Sequence, residues 1–174
     1  MKLGFNIGSG QRPFFTSSEV EWINVDKVLH PAMPVPDLLS DGADLPHPDG
    51  TADYVVLHHV LEHFGCGEAA GLIREAHRVL KPNGSLLVFV PDLRALAERW
   101  LVNGLSTQIY VTNVYGAYMG HEEDRHKWGF DSSSLGEFLT KSASWTMVVP
   151  FDWRPIPGAD IARDWWILGV ECVR

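Results

Sequence analysis

Apolar and polar positions along this chain follow two different periods, and each switch between them marks an element. Lys2 to Ile7 places Leu3, Phe5 and Ile7 on one face of a strand, which runs straight into Gly8-Ser9-Gly10. Gln11 to Glu21 holds Pro13 and the polar run Thr16-Ser17-Ser18, poor material for a long helix. A second short strand, Trp22-Ile23-Asn24-Val25, ends on Asp26. From His30 to Pro48 the prolines at 31, 34, 36, 46 and 48 leave mostly loop, with room for a brief strand near Leu38-Leu39. Tyr54-Val55-Val56-Leu57 is a nearly all-apolar, β-branched run, as expected of a strand buried on both faces of a parallel sheet.

The period then changes. His59 to Phe64 reads as a short helical turn closed by Gly65 and Gly67. Glu68 to Leu80 carries Ala69, Leu72, Ile73, Ala76, Val79 and Leu80 at helical spacing, with Arg78 and Lys81 near the negative end of the helix dipole. Pro82-Asn83-Gly84 stops it, Ser85 to Val90 returns to a strand ended by Pro91-Asp92, and Leu93 to Val102 predicts an amphipathic helix. Asn103 to Phe130 shows no clear period but is dense in Tyr, His and acidic residues, a loop or lid composition. Asp131-Ser132-Ser133-Ser134 offers N-cap residues to a helix over Leu135 to Lys141. Thr146 to Phe151 and Trp165 to Val173 predict two strands, an antiparallel pair. The order is that of an α/β sheet, mostly parallel with an antiparallel C-terminal strand, and 1–174 reads as one domain.

Composition narrows this picture. A chain of 174 residues buries on the order of 70% of its unfolded surface, so it needs neither disulfides nor a structural metal. Two unpatterned cysteines, Cys66 and Cys172, and no leader-like apolar segment point to a reducing cytoplasmic setting; no apolar run is long enough to span a membrane. The formal charge of -8 opposes an unaided grip on nucleic acid.

In an open α/β sheet the ligand sits outside the carboxyl ends of the strands. Gly8-Ser9-Gly10 occupies such an end, and Asp26, at the end of the next strand, is placed to accept from ribose hydroxyls. A dinucleotide site would need a third glycine where Pro13 stands, and a helix N-terminus for the pyrophosphate. A lone Gly-x-Gly reads equally well as a tight turn after a strand.

The longer register decides between them. Phe5-Asn6-Ile7-Gly8-Ser9-Gly10, Trp22-Ile23-Asn24-Val25-Asp26, Asp44-Leu45-Pro46, Asp53-Tyr54-Val55-Val56 running into His59-Val60-Leu61-Glu62-His63, and Glu75-Ala76-His77-Arg78-Val79-Leu80-Lys81-Pro82-Asn83-Gly84 follow one another in order. Together they resemble the class I S-adenosylmethionine-dependent methyltransferases, in particular the small branch called type 11. The resemblance covers residues 3 to 92 and implies a Rossmann-like methyltransferase sheet with S-adenosylmethionine as cofactor. It implies that Gly8, Ser9 and Gly10 pass beneath the methionine part of the donor and that Asp26 binds the ribose diol. Asp44 and Leu45 would receive the adenine, and Leu57 and His58 would lie close to the reactive methyl. Asn6 stands where many members of that family carry an acidic residue, so it offers hydrogen bonds but no charge to the donor's amino group.

The histidines admit more than one use. His59-Val60-Leu61-Glu62-His63 fits an H-x-x-E-H metal pattern, but the methyltransferase match accounts for the same five residues, and no metal is expected. His63 and His77 read as packing or capping residues on helix surfaces. His121-Glu122-Glu123-Asp124-Arg125-His126, with Tyr115, Gly116 and Tyr118 before it and Trp128-Gly129-Phe130 after it, is either a solvated charge run or part of the acceptor pocket. In the second reading Tyr115, His121 and His126 contact the substrate, and His58 and His126 are the candidate catalytic bases, imidazole having a pKa of about 6.5. Trp153, Trp165 and Trp166 are expected to pack in the core or at a homodimer surface.

The expected function is methyl transfer to a small-molecule or sugar-like acceptor, achieved mainly by holding donor and acceptor in line. The alternative of another class is a non-catalytic cofactor-binding or scaffold module of the same fold; a nicotinamide-dependent enzyme is disfavoured by Pro13 and the Asp44-Leu45 pair. Because Lys2 opens directly into the first strand, cover at its N-terminal side is reduced. Closure over the donor is expected from the Asn103 to Phe130 segment or from a partner subunit.

Overall fold

A computed structural model describes residues 1–10, 19–29, 34–117, 121–152 and 166–174. Among them the strands are β1 (Lys2–Ile7), β2 (Val20–Asp26), β3 (Leu38–Leu39), β4 (Ala52–His58), β5 (Leu80–Pro91), β6 (Met147–Pro150) and β7 (Ile167–Val173). The helices are α1 (Cys66–Val79), α2 (Leu93–Val102), α3 (Thr107–Tyr115) and α4 (Ser132–Ser142). The strands form one sheet in the order β3-β2-β1-β4-β5-β7-β6. From β3 to β5 every pairing is parallel, and β7 runs antiparallel to both β5 and β6. The mostly parallel α/β sheet expected from the hydrophobic pattern is the one that forms.

Strand alternation sets the core. Phe5 and Ile7 of β1, Val55 and Leu57 of β4, and Leu86 and Val88 of β5 point to one face, where α1 brings Ala69, Leu72, Ile73, Ala76 and Val79 and α4 brings Leu135 and Leu139. Each fully buried Leu or Phe in this layer stabilises the fold by about 1.5–3 kcal/mol. The opposite face holds a smaller cluster of Val56, Leu87 and Phe89, with Trp22, Phe151 and Ile167 against it. The ring of Trp22 lies over Gly4, where a Cβ would come within 2.5 Å of it. Helix ends follow their local chemistry: the Asp92 carboxylate accepts from Arg94 and Ala95 N–H at the start of α2, and Asp131 accepts from Ser134 N–H at the start of α4.

Two elements depart from the sequence expectation. The regular β4–β5 ladder does begin at Ser85, opposite Tyr54, but Leu80 also pairs with Ala52, so the strand extends back across Pro82-Asn83-Gly84 through an irregularity in which Asn83 takes φ +65°. The segment from Asn103 to Phe130 contains a helix, α3, and a 3₁₀ turn at Glu122–Asp124. No residue of α3 is buried, so it has no apolar face and leaves no period in the sequence. Its boundaries are nevertheless written locally: the Ser106 Oγ accepts from Ile109 N–H, and Gly116 ends the helix at φ +85°.

The two cysteines sit in opposite environments. Cys66 is exposed, whereas Cys172 is buried and its thiol is pushed up to about 12 by burial, with Glu171 adding to the shift. Because the thiolate is the reactive form, iodoacetamide at mildly alkaline pH is expected to modify Cys66 alone in the native chain, and both thiols in denaturant. Peptide mass spectrometry reads the result; native-state labelling of Cys172 would contradict the packing of β7 on β5.

Candidate active site

The chain leaves β1 outward to β2 and β3, then returns to β4 on the other side of β1. The strand order therefore reverses between β1 and β4, where a ligand crevice is expected at the carboxyl ends. A cavity of about 510 Å³ lies there. Its walls come from the loops after β1, β2, β3 and β4, from the segment around α3, and from Trp166 and Ile167 at the start of β7.

The loop after β1 is shaped by backbone hydrogen bonds. Ser9 N–H donates to the Val25 carbonyl at 3.0 Å, and Gly10 N–H donates to the Asp26 carboxylate at 2.9 Å. The other Asp26 oxygen accepts from Val28 N–H at 3.0 Å. Gly8 and Gly10 have φ of +66° and +48°, the left-handed region that favours glycine. A Cβ on Gly8 would lie 2.4 Å from Val60 Cγ2, so this backbone comes as close as it can to the 3₁₀ turn at Leu61–His63, which Val60 caps. Each Asp26 oxygen accepts one such bond and keeps a further lone pair for a ligand. Gly8, Ser9, Gly10 and Asp26 thus meet on one wall of the cavity.

The remaining residues assigned to the donor are distributed differently. Asn6 is buried behind the wall, its side-chain amide donating to Asn24 Oδ1 at 3.0 Å. Leu57 is part of the core, and only His58 beside it reaches the cavity. Asp44 is exposed and Leu45 is buried in the core, and neither lines the cavity. Leu45 is pinned there by its N–H, which donates to Glu75 at 2.7 Å, and by its carbonyl, which accepts from Arg78. Arg78 also binds the His47 carbonyl and Asp49, and its bond to Glu75, opposed by partial burial, holds the Glu75 carboxyl below the usual carboxylate range. That clamp is present at neutral pH and is lost as the pH falls through the lowered Glu75 value.

The residues that do reach the cavity from this side are Ser40 and Asp41, directly after β3. Gly42 follows at φ +79°, with no room for a Cβ against Ile7 Cγ2 at 2.4 Å. Their position just past a strand's carboxyl end is the signal that locates them. Asp44 and Leu45, the pair that the resemblance assigned to the adenine, stand three to four residues further along and outside this lining.

Beyond β4 the wall becomes histidine-rich. His59 takes φ +55°, unusual for a non-glycine residue, and its Nδ1 lies 2.9 Å from Oε1 of Glu62. Its ring sits 4.6 Å from that of His58 and 5.3 Å from that of Trp166, both of which line the cavity. Glu62 is only 1% exposed. Burial alone would raise its pKa, but the hydrogen bond from His59 and the imidazoles of His59, His63 and His126 outweigh it and hold Glu62 below its ordinary value. His126 meets His63 edge to face at 4.8 Å, and its Nδ1 lies 2.9 Å from the Asn113 carbonyl. Burial pulls the His126 imidazole below its ordinary value, while Glu62 pulls the other way.

The 103–130 segment supplies one side of the cavity through Thr112, Asn113, Ala117, Glu123, Asp124 and His126. Tyr115 and His121 are exposed and do not line it. The charge run is therefore divided: His121, Glu122 and Arg125 face solvent, and Glu123, Asp124 and His126 face the cavity. His77 packs on a helix surface as expected, its ring 4.9 Å from that of Trp145. Tyr118, Trp153 and Trp165, together with Pro13, lie outside the described residues.

Residues 20–88 match the family model for a methyltransferase domain. The chain is 32% identical over 135 residues to a demethylmenaquinone methyltransferase from Corynebacterium kroppenstedtii, covering 74% of this chain and 56% of that protein, so it spans little more than half that relative's length. Among solved structures, the 1,6-didemethyltoxoflavin-N1-methyltransferase of Burkholderia thailandensis, bound to 1,6-didemethyltoxoflavin and S-adenosylhomocysteine, superposes with a TM-score of 0.62 at 14% identity. That match covers 99% of this chain and 71% of the other. A methyltransferase from Methanosarcina mazei aligns over 99% of this chain and 92% of its own, with a TM-score of 0.59 at 15% identity.

Proposed function

We infer that the chain is a class I S-adenosylmethionine-dependent methyltransferase, a reading supported by the methyltransferase-domain match and the 32%-identical relative, and that its cavity binds S-adenosylmethionine and transfers the methyl group to a small-molecule acceptor. The observation that carries this reading is the continuity of one cavity of about 510 Å³, from the Gly8–Gly10 loop and Asp26 at one end to His58, His59 and His126 at the other. That volume suits a nucleoside-sized donor with a small acceptor beside it. The two named relatives support a small-molecule acceptor.

The wall fits the donor by its chemistry. The turn at Gly8 and Gly10 lets the backbone lie against the methionine portion, and the spare lone pairs of Asp26 accept from a ribose diol. Ser40 and Asp41 take the place assigned to Asp44 and Leu45 and accept from the adenine amino group. No helix N-terminus is needed, because no phosphate is bound. The donor supplies an activated methyl on a positively charged sulfur, and most of the acceleration comes from alignment. His59 is the acceptor-side contact: its Nδ1 is engaged by Glu62, which fixes the ring and leaves Nε2 for the acceptor's nucleophilic group. His58 and Trp166 flank it.

Calorimetry with S-adenosylhomocysteine and with NAD tests the donor reading. Micromolar binding of the first and no binding of the second is the expected result; NAD binding alone would sink it. Transfer of a labelled methyl group into a metabolite extract separates an enzyme from a scaffold of the same fold. With the acceptor identified, His59→Asn is expected to lower turnover while leaving donor affinity unchanged.

A further inference from the structure

We propose that Glu62, His63 and His126 bind one divalent transition ion of the zinc type at the acceptor end of the cavity. The candidate ligand atoms of the three residues all lie within 4.8 Å of one another. Ligands at tetrahedral angles about zinc stand about 3.4 Å apart, so modest side-chain rotations complete the site. Two imidazoles and one carboxylate form the donor set of catalytic zinc centres, which keep a further position open. Imidazole nitrogen selects zinc, cobalt or nickel over magnesium and calcium, which prefer oxygen.

Two features point to a missing partner, and a third shows that the site is assembled in advance. Among the described residues, Glu62 Oε2 is buried with no hydrogen-bond partner, and so is His63 Nδ1. A carboxylate that is 1% exposed and uses only one of its oxygens is costly, and buried polar atoms without partners call for a physical explanation. The ligands are also oriented from outside in the manner of metal sites. His126 Nδ1 faces the Asn113 carbonyl, leaving Nε2 for an ion, and Glu62 Oε1 faces His59, leaving Oε2. Finally, the backbone assembles the site without help from a metal: Lys127 and Trp128 N–H both donate to the Glu62 carbonyl, at 2.8 and 3.1 Å, and so hold His126 over the Leu61–His63 turn.

This set differs from the one that the H-x-x-E-H pattern would propose. In that pattern His59 and His63 share the ion. Here His59 is tied to Glu62 and acts as its outer support, and the third ligand comes from a residue 63 positions after His63. Since His63 and His126 also line the cavity, the open coordination position is within reach of an acceptor oxygen or nitrogen or of water.

The test uses the full-length chain, free of affinity tag and stripped with chelator, titrated with cobalt(II) and then zinc(II). One equivalent of cobalt with the intense visible bands of a tetrahedral centre, displaced by one equivalent of zinc, is the expected result. His63→Ala and His126→Ala should each weaken binding by about a hundredfold or more, and His59→Asn, which removes only the outer support, by about tenfold. Cys66→Ser and His77→Ala should leave it unchanged. Circular dichroism verifies folding of each variant, and His126→Ala, which leaves the buried turn intact, keeps the test informative should His63→Ala unfold. Absence of a stoichiometric cobalt spectrum in the parent chain, or binding that persists in His126→Ala, would overturn the site. Neither outcome touches the donor reading, which rests on S-adenosylhomocysteine binding at the other end of the cavity.

Discussion

Asp26→Ala is expected to weaken S-adenosylhomocysteine binding by roughly thirtyfold to a thousandfold, measured by calorimetry. The carboxylate faces two tasks. It would accept two charge-assisted hydrogen bonds from the ribose diol, together worth about 2–4 kcal/mol after desolvation, which converts to that range of affinity. It already accepts from Gly10 and Val28 N–H, so its loss also releases the loop proposed to cradle the methionine end. Asp26→Asn keeps the size but puts an NH₂ donor against one of those N–H groups, and should fall between the two. Asp41→Ala should cost about tenfold, the loss of one hydrogen bond from the adenine amino group. Asp44→Ala should cost nothing, because that side chain points away from the cavity wall into solvent. Unchanged affinity in Asp26→Ala would place the ribose elsewhere, and a larger loss in Asp44→Ala than in Asp41→Ala would restore the sequence-based assignment of the adenine.

Gly8→Ala is the second substitution with a large expected effect. At φ +66° an alanine pays about 1–2 kcal/mol for the left-handed conformation. Its Cβ would also meet Val60 Cγ2 at 2.4 Å, a clash that forces one of the two segments to move at a further cost of about 1–3 kcal/mol. A drop in melting temperature should accompany at least a tenfold loss of S-adenosylhomocysteine affinity, since the turn that moves is the one proposed to lie under the donor. The two costs separate in the double variant. Adding Val60→Ala opens the space but not the backbone well, so Gly8→Ala/Val60→Ala should recover part of the affinity lost by Gly8→Ala and not all of it. A Gly8→Ala chain that melts and binds like the parent would show that the loop is free to rearrange, and would remove the close approach from the account of donor binding.

Much of the fold was legible in the chain because burial imposes a period. The strands at Lys2–Ile7 and Ala52–His58 and helices α1, α2 and α4 each have a face that the core must cover, so their apolar spacing is visible without the tertiary structure. Helix α3 has no such face, and only its end residues, Ser106 and Gly116, carried information. Gly8, Ser9, Gly10 and Asp26 were readable for a related reason: they terminate strands, and a parallel sheet puts its ligand at those ends.

By itself, then, the sequence determined the α/β class, the order of its elements and the glycine turn after β1 with its neighbouring carboxylate, since each is set by local backbone preference and by the spacing of apolar residues. Only the tertiary structure decided which side chains meet across elements. The Glu75–Arg78 clamp draws Leu45 into the core and leaves Asp41 at the cavity, and two hydrogen bonds to the Glu62 carbonyl carry His126 onto His63. Such meetings depend on long-range hydrogen bonds between segments far apart in the chain, and no local period records them.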